Sequence, residues 1–263
     1  MDLGLKDRVA LVAASSKGLG FAVAQGLARE GAKLAICSRD RESIDAAAEQ
    51  IRRESGVEVI ARPVNVTDYE QVRRFVEAIV EKFGRLDICV TNAGGPPSKS
   101  FAETSIDDWR ATADLNLMST VYLARETLPV MQRQRWGRFI AITSVAVKQP
   151  IDGLILSNTV RSAVSGLIKS LANEYGRDGV LVNSVCPGYT ATDRLVELSQ
   201  KLAEKERVPA AEIERRWAQE TAVGRLGRPE EFADLVVYLA SERAAYVTGT
   251  AIAVDGGLVK GLY

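Results

Sequence analysis

Short apolar segments alternate with longer segments of helical periodicity along the whole chain. The apolar segments are continuous, which is typical of strands that helices cover on both faces. The helical spacers supply the crossover connections that parallel neighbours require. The pattern therefore predicts an α/β fold with a doubly wound, seven-stranded parallel sheet, whose ligand site lies beyond the carboxyl ends of the strands. The predicted strands are RVALVAA (8–14), KLAICS (33–38), EVIARPV (58–64), DICVT (87–91), GRFIAIT (137–143), VLVNSVC (180–186) and AIAVD (251–255).

The clearest helix lies over residues 68–83. Asp68 is a good N-cap, and the segment stops before Gly84. Its apolar residues recur on one face, which should pack against the sheet. These residues are Val72, Phe75, Val76, Ile79 and Val80.

Residues 190–222 depart from the alternation and are rich in charge. Their helical periodicity predicts a small helical flap, and its apolar stripes suggest closure over a hydrophobic or extended substrate. Its basic residues are available to an anionic carrier. A helical pair that only caps the cleft, or contacts another subunit, is the alternative. The apolar stripes consist of Leu195, Leu198, Leu202, Ile213 and Trp217.

The composition sets further limits. With 263 residues, 46% of them hydrophobic, the chain fits one domain, which we expect to span residues 1–263. Lys plus Arg and Asp plus Glu both total 34, so the net charge is zero and binding to nucleic acid or an anionic membrane is not expected. No apolar run approaches the roughly 18 residues of a membrane span, and no cleavage signal follows the N-terminus, which indicates a cytoplasmic protein.

The cysteines and the missing histidine restrict the possible chemistry. Cys37, Cys89 and Cys186 each lie in an apolar strand-like segment, which favours buried reduced thiols over disulfides or a metal site. The chain has no histidine, so the commonest general base and metal ligand is absent. Proton chemistry must therefore use other groups.

The segment AASSKGLG (13–20) joins the first strand to the first helix. Gly18 and Gly20 let the backbone approach a pyrophosphate, and the helix N-terminus offers unpaired N–H groups. Because this is the first strand-to-helix turn, the segment predicts a dinucleotide site. A loop that merely packs the helix against the sheet is the alternative.

The end of the second strand, CSRD, should discriminate between NAD and NADP. A carboxylate there binds the ribose 2′-hydroxyl, whereas an arginine pairs with a 2′-phosphate. Arg39 occupies the phosphate position, and Lys17 is a second cation within reach. The segment therefore favours NADP. Asp40 leaves NAD open, since a shift of one residue would place its carboxylate at the ribose.

Further motifs follow in order: Asn92-Ala93-Gly94 after the fourth strand, Pro187-Gly188 after the sixth, GRLGRPEE (224–231), and VDGG (254–257). With these motifs nearly the whole chain resembles the short-chain dehydrogenase/reductase family, and within it the 3-oxoacyl-[acyl-carrier-protein] reductase-like branch. The resemblance implies a Rossmann-type oxidoreductase. It also implies that the cofactor is contacted by Ala14, Ser16, Lys17, Gly18, Leu19, Gly20, Ser38, Arg39, Asn65, Val66, Asn92, Ala93, Gly94, Arg161, Pro187, Gly188, Thr190 and Thr192.

The chain departs from the family at two cofactor positions. Ala13 and Ala14 stand where the family has a threonine and a glycine. We expect Ala14 to be accommodated if its φ is negative, with binding weakened or rearranged. Asn65 replaces an aspartate that meets the adenine amino group, and its carbonyl oxygen should preserve this contact.

The catalytic positions depart further. In the family a serine polarises the substrate carbonyl, a tyrosine transfers the proton, a lysine tunes the tyrosine, and an asparagine anchors a water. Ser144 and Asn116 match the serine and the asparagine, but Ser157 and Arg161 stand in place of the tyrosine and the lysine. A serine hydroxyl is a weaker acid than a phenol, whose pKa is about 10, and it is too short to reach the same point. Arg161 can still hold ribose hydroxyls, but it does not relay a proton.

Two nearby residues are alternative proton donors. Tyr189 follows the Pro-Gly motif and could place its phenol over the nicotinamide. Lys148 lies on the loop after Ser144, and burial near Arg161 would lower its pKa. A packing role for Tyr189 and a solvated position for Lys148 are the ordinary alternatives.

Two functions follow from these residues. The first is an NADP-preferring oxidoreductase that acts on a carbonyl or alcohol, for example of the 3-oxoacyl type, with an altered proton relay. The second is a nucleotide-binding protein with little turnover, acting as a sensor or as a partner of an active homologue. Halohydrin dehalogenases are a weaker match, since they keep the tyrosine and replace the nucleotide loop.

The resemblance also implies a homodimer or homotetramer. The family pairs two helices across a two-fold axis, here residues 107–133 and 157–176. The apolar residues of the second segment suit such an interface, or they face their own sheet. They are Ala163, Val164, Leu167, Ile168 and Leu171.

Overall fold

A parallel sheet organises the chain, and its strands end within two residues of the predicted positions. The computed structural model describes residues 2–262. Within that range the strand order is β3-β2-β1-β4-β5-β6-β7, with every pairing parallel, so the predicted doubly wound α/β fold is confirmed. The strands are β1 (Val9–Val12), β2 (Lys33–Ser38), β3 (Val59–Pro63), β4 (Ile88–Thr91), β5 (Gly137–Ile142), β6 (Val180–Pro187) and β7 (Ala251–Val254).

Helices cover both faces of the sheet. Alternate residues of β1 pack against the helices on opposite faces of the sheet, with Ala10 and Val12 on one side and Val9 and Leu11 on the other. The helices α1, α2 and α9 cover the first side, and α3, α5 and α6 cover the second. The helices are α1 (Gly18–Arg29), α2 (Arg41–Ser55), α3 (Tyr69–Phe83), α4 (Ile106–Thr112), α5 (Ser119–Gln134), α6 (Ile155–Tyr175), α7 (Asp193–Glu206), α8 (Ala210–Glu220) and α9 (Pro229–Ala240).

Helix α3 has the predicted ends. The Asp68 carboxylate accepts a hydrogen bond from Gln71 N at 3.1 Å, and Gly84 takes the left-handed conformation, with φ of 71°. A glycine adopts this conformation at no steric cost, which is why the helix ends there.

The strand order reverses between β1 and β4, and this reversal positions the ligand site. The loops after these two strands leave in opposite directions, which opens a crevice at the carboxyl edge of the sheet. Helices α7 and α8 form the predicted helical flap. They are joined by a hydrogen bond from Ser199 Oγ to Glu214 Oε1 at 2.9 Å, and Leu195 and Ile213 are buried.

The apolar residues of α6 divide between two roles. Val164 and Ile168 belong to the buried core, so for them the orientation toward their own sheet is correct. Ala163 is exposed, whereas Leu167 and Leu171 are half-buried and line a groove of about 570 Å³ between α5 and α6.

The cysteines are free and buried, as predicted. Burial raises the pKa of the Cys37 and Cys89 thiols to about 12, which suppresses their reactivity. No helix within residues 2–262 has the length and apolar character needed to cross a bilayer.

Candidate active site

The turn between β1 and α1 is shaped for close approach of a ligand. Gly18 has a φ of 62°, and a Cβ on Gly20 would lie only 2.5 Å from Ala14 O. Asn92 Nδ2 donates to the same oxygen at 3.1 Å, so β4 fixes the turn. The first N–H groups of α1 are free to face a pyrophosphate. This turn therefore fits a dinucleotide.

The alanine in this turn adopts an unfavourable conformation. The φ of Ala14 is 47°, so the negative angle that would accommodate it is not present. A Cβ in the left-handed region crowds the following carbonyl, at a cost of roughly 1–2 kcal/mol. The turn thus has a left-handed backbone at a residue that is not glycine.

The two cations predicted to recognise a 2′-phosphate are exposed. Lys17 Nζ forms an ion pair with Asp193 Oδ2 at 3.0 Å, and both side chains are 69% exposed. This pair joins the glycine turn to the first residue of the flap helix α7. Arg39 is exposed and forms no ion pair within residues 2–262. Both cations are therefore accessible to an anion.

Two polar side chains are less available to a nucleotide than the sequence suggested. Asp40 accepts a hydrogen bond from Ser43 N at 2.8 Å and caps α2, and its bonds to Ser43 lower the pKa of its carboxyl. The Asn65 carbonyl oxygen accepts from both Thr67 N (3.2 Å) and Thr67 Oγ1 (3.0 Å). Because an amide oxygen has two lone pairs, the expected contact with adenine is not available to Asn65 Oδ1 in this conformation.

The segment after β6 is packed against the end of β7. Gly188 N donates to Val254 O at 3.0 Å, and a Cβ on Gly188 would lie 2.7 Å from Asp255 Cα. Thr190 is buried, and Thr192 precedes α7, with its Cγ2 3.7 Å from the position of a Cβ on Gly18. Thr192 thus lies directly over the glycine turn, so both motifs border one cleft.

Ser144 and Arg161 meet at the carboxyl end of β5. The Arg161 Nη1 atom donates to Ile142 O at 3.1 Å and to Thr143 O at 3.0 Å. Ser144 Oγ accepts from Ala146 N at 3.1 Å, which leaves its hydroxyl proton free to donate. The pair therefore presents a hydroxyl donor beside a fixed guanidinium.

Asn116 lies in a π-helical turn between α4 and α5, spanning Ala113–Met118. Such turns often occur at functional sites. Its Nδ2 donates to Gly94 O at 3.0 Å, whereas its buried Oδ1 has no hydrogen-bond donor among residues 2–262. The amide is thus oriented by the segment after β4 and retains one acceptor.

Ser157 and Lys148 are two further residues that the sequence suggested for the proton relay. Ser157 is buried on α6, and its hydroxyl has no hydrogen-bond partner within residues 2–262. Lys148 is exposed, so the expectation that it is desolvated is wrong. Its charge is close enough to the end of β6 to lower the pKa of Cys186, against the larger raising effect of burial.

Tyr189 is held by the flap. Its hydroxyl donates to Glu220 Oε2 at 3.2 Å, and its ring stacks on Trp217 with centroids 5.1 Å apart. Burial, together with the Glu220 charge, raises the pKa of the phenol. Tyr189 is therefore a weaker acid than a free tyrosine, and the packing role describes it better than proton donation.

Arg194 is a site residue that the motifs did not indicate. It lies on α7, two residues after Thr192, and its Nη2 donates to Pro96 O at 2.8 Å. Its Nε is 3.3 Å from the position of a Cβ on Gly95. The only sequence signal for this residue is an arginine in the first turn of α7. Its contact with the segment after β4 depends on the folded flap.

Comparisons with known proteins agree with this geometry. A sequence profile described as "Enoyl-(Acyl carrier protein) reductase" matches residues 13–259. The 3-oxoacyl-[acyl-carrier-protein] reductase FabG of Aquifex aeolicus is 34% identical over 98% of this chain and 100% of that protein. The dehydrogenase/reductase SDR family member 4 of Bos taurus is 32% identical over 98% of this chain and 89% of that protein. The chain belongs to the short-chain dehydrogenase/reductase family.

Solved structures of the family superpose closely on the chain. The L-sorbose reductase from Gluconobacter frateurii, complexed with NADPH and L-sorbose, has a TM-score of 0.95 at 33% identity and covers 100% of both chains. The resemblance to the 3-oxoacyl-[acyl-carrier-protein] reductase branch is thereby confirmed, as is an oxidoreductase with a Rossmann-type fold. The contacts of individual residues with a cofactor stay predictions.

Proposed function

We propose that the protein reduces a carbonyl group with NADPH, using an altered proton relay. The observation on which this depends is the buried Arg161 guanidinium at the family's lysine position, bonded to Ile142 O and to Thr143 O, the residue before Ser144. Relatives named 3-oxoacyl reductases and a neighbour solved with NADPH support the reaction class and the cofactor. A 3-oxoacyl compound is the first substrate type to test.

The preference for NADP rests on charge at the end of β2. Arg39 and Lys17 are exposed cations near the turn, whereas the Asp40 carboxylate is engaged in capping α2. A guanidinium pairs strongly with a phosphate. We therefore assign the 2′-phosphate to Arg39 and Lys17, and the pyrophosphate to the N-terminus of α1 with Gly18 and Gly20.

NADPH held by the turn at Gly18 and Gly20 would supply a hydride to the carbonyl carbon, and the electron pair of the C=O bond would move to the oxygen. Ser144 Oγ would donate a hydrogen bond to that oxygen, because its bond from Ala146 N uses a lone pair and leaves the hydroxyl proton available. Arg161 supplies a fixed positive charge where the oxyanion develops. Loss of one such donor typically costs about 10²–10³ in kcat.

The proton that completes the alcohol must come from another group. Lys148 is the remaining candidate near the centre, since Tyr189 is held by Glu220. We propose that the Lys148 ammonium delivers a proton to the alkoxide and is reprotonated by solvent. The free Oδ1 of Asn116 is the acceptor that would orient a relay water.

The test follows NADPH oxidation with neutral ketones and 3-oxoacyl thioesters. Turnover with NADPH and much less with NADH supports the proposal. Arg39→Ala should raise the Kd of NADPH by about 10- to 100-fold, as expected for one charge-assisted bond. Arg53→Ala, an exposed arginine at the other end of α2, is the matched control. Binding of NADPH without oxidation of any substrate would overturn the proposal in favour of a nucleotide-binding protein without turnover.

A pair of Lys148 variants tests the donor. Lys148→Ala and Lys148→Arg should both lower kcat by about 10²-fold or more, because arginine keeps the charge but does not release a proton. Tyr189→Phe should leave kcat unchanged. Full activity of Lys148→Arg alone would show that Lys148 contributes only its charge. Full activity of both variants would show that Lys148 has no role in turnover.

Two further interpretations stay predictions. We propose a homo-oligomer formed through the groove between α5 and α6, which includes Val121, Leu167 and Leu171. Leu167→Glu should shift the mass measured by light scattering toward the monomer. The cytoplasmic location rests on the sequence alone.

A further inference from the structure

Arg161 is a buried cation that lacks a counter-charge. Only 8% of its surface is exposed, and no carboxylate of residues 2–262 lies within 4.0 Å of it. Its partners are the neutral carbonyls of Ile142 and Thr143. Burying an unpaired charge is costly, so buried guanidiniums normally have an anionic partner. The part of the chain that the structure describes does not provide one.

The rest of this guanidinium opens onto the cleft. Both protein hydrogen bonds are made by Nη1, and Nε and Nη2 donate to no acceptor within residues 2–262. Neither nitrogen is among the fully buried atoms without a partner, so both keep some contact with solvent. Arg161 is thus anchored at one end, with donors on its other side available to a ligand.

Arg194 brings a second guanidinium to the same region from the flap. It is held against the segment after β4 by its bond to Pro96 O and its approach to Gly95. The same segment orients Asn116, through Gly94 O. Burial, and then the charge of Arg194, lower the pKa of Arg161 to about 10, as expected of two cations near each other.

The carboxylates nearby do not neutralise this pair. Glu197 approaches Arg194 Nη1 at 3.6 Å, but it is more than half exposed and one helical turn away. Such exposed pairs contribute little. Asp193 is engaged with Lys17. Lys148 adds a further positive charge at the rim. The cleft beside Ser144 is therefore electropositive and open to an anion.

We propose that this cleft selects oxocarboxylic acids, whose free carboxylate is bound by Arg161 and Arg194 while the carbonyl faces Ser144. This inference rests on the proposed reductase function and names its substrate class. A planar carboxylate matches the donor fork of a guanidinium. The flap helix α7 brings Arg194, so substrate binding and flap closure would be coupled through the same carboxylate.

The first experiment compares each acid with its neutral ester, using NADPH oxidation as the readout. The pairs are phenylpyruvate, acetoacetate and levulinate with their alkyl esters, which vary the spacing between carboxylate and ketone. At least one acid should exceed its ester by about 10- to 100-fold in kcat/KM, the effect of a charge-assisted contact. The preference should fall with added salt.

The variants separate Arg194 from general effects of charge. Arg194→Met should lower the ratio of kcat/KM for the preferred acid to kcat/KM for its ester by about 10- to 100-fold. Arg194→Lys should recover part of the loss. Arg215→Met removes an exposed flap arginine that pairs with Glu212. It should change kcat/KM for neither the acid nor the ester. Unchanged thermal unfolding of each variant excludes misfolding.

A binding measurement gives a readout that does not depend on turnover. Calorimetric titration of malonate into the protein with NADP⁺ should show binding that Arg194→Met weakens, with no binding of dimethyl malonate. Esters or thioesters reduced as well as acids, with no effect of Arg194→Met, would overturn the substrate class while the reductase function stands. Absence of all turnover with malonate still bound would overturn the function. A preference for dihydroxyacetone phosphate over every acid would overturn the carboxylate as the recognised group, and would indicate that the cleft binds a phosphate.

Discussion

Replacing Ala14 with glycine should stabilise the protein, although it removes a methyl group from a half-buried position. The φ of Ala14 is 47°, in the region where an L-residue with a Cβ is strained. Two contacts impose this angle. Asn92 Nδ2 donates to Ala14 O, and the absence of a Cβ on Gly20 lets that oxygen pack against the first turn of α1. The strain is therefore maintained by the structure around the turn.

The expected gain is the difference of two effects. Relief of the left-handed strain contributes roughly 1–2 kcal/mol. The greater freedom of glycine in the unfolded chain offsets about 0.4–1 kcal/mol of this gain. A net stabilisation of about 0.5–1 kcal/mol corresponds to a rise in Tm of about 1–4 °C for a chain of this length.

The assay is thermal and urea unfolding of Ala14→Gly beside Ala13→Gly. Ala13 is fully buried and does not have a positive φ, so glycine there should destabilise the protein by about 1 kcal/mol. Opposite signs for two neighbouring alanines would isolate the backbone angle as the cause. Destabilisation of both variants to the same extent would refute the strain argument.

Two other predictions concern the cleft. Asp193→Asn releases Lys17 from an exposed ion pair and should tighten NADPH binding by up to about fivefold at low salt, measured by fluorescence titration; an unchanged Kd would contradict it. The double variant Ser157→Tyr with Arg161→Lys restores the family's proton donor and its tuner. It should raise kcat for ethyl acetoacetate by about 10²-fold or more, and a folded variant with no gain would show that the donor is not what limits the wild type.

The sheet could be predicted because its signal is local. Each strand is a continuous apolar run, and the ends of α3 are marked by Asp68 and Gly84, which act within one turn of the chain. The glycine turn is likewise marked locally, because Gly18 has a positive φ and Gly20 leaves room for the close approach of Ala14 O. These features depend on residues that are neighbours in sequence.

The site residues with the least expected roles depend instead on contacts between distant segments. Lys17 meets Asp193, and Tyr189 is stacked on Trp217, across turns that the sequence pattern does not specify. The conformation of Ala14 is imposed by Asn92, which is 78 residues away. A motif can assign such residues to a site, but their partners follow only from the packing of the flap and the loops.

In the proposed mechanism, Ser157 and Arg161 together change how the catalytic centre uses charge. A tyrosine paired with a lysine supplies a mobile proton, whereas a buried arginine bonded to Ile142 O and Thr143 O supplies a stationary positive charge. A stationary charge stabilises an oxyanion and attracts an anionic substrate, but the proton must then come from elsewhere. If Arg161 serves both purposes, its guanidinium at the end of β5 stabilises both the substrate carboxylate and the developing alkoxide. Lys148 at the rim then supplies the proton that completes the alcohol. The same substitution would then account for both the altered relay and the selectivity for acids.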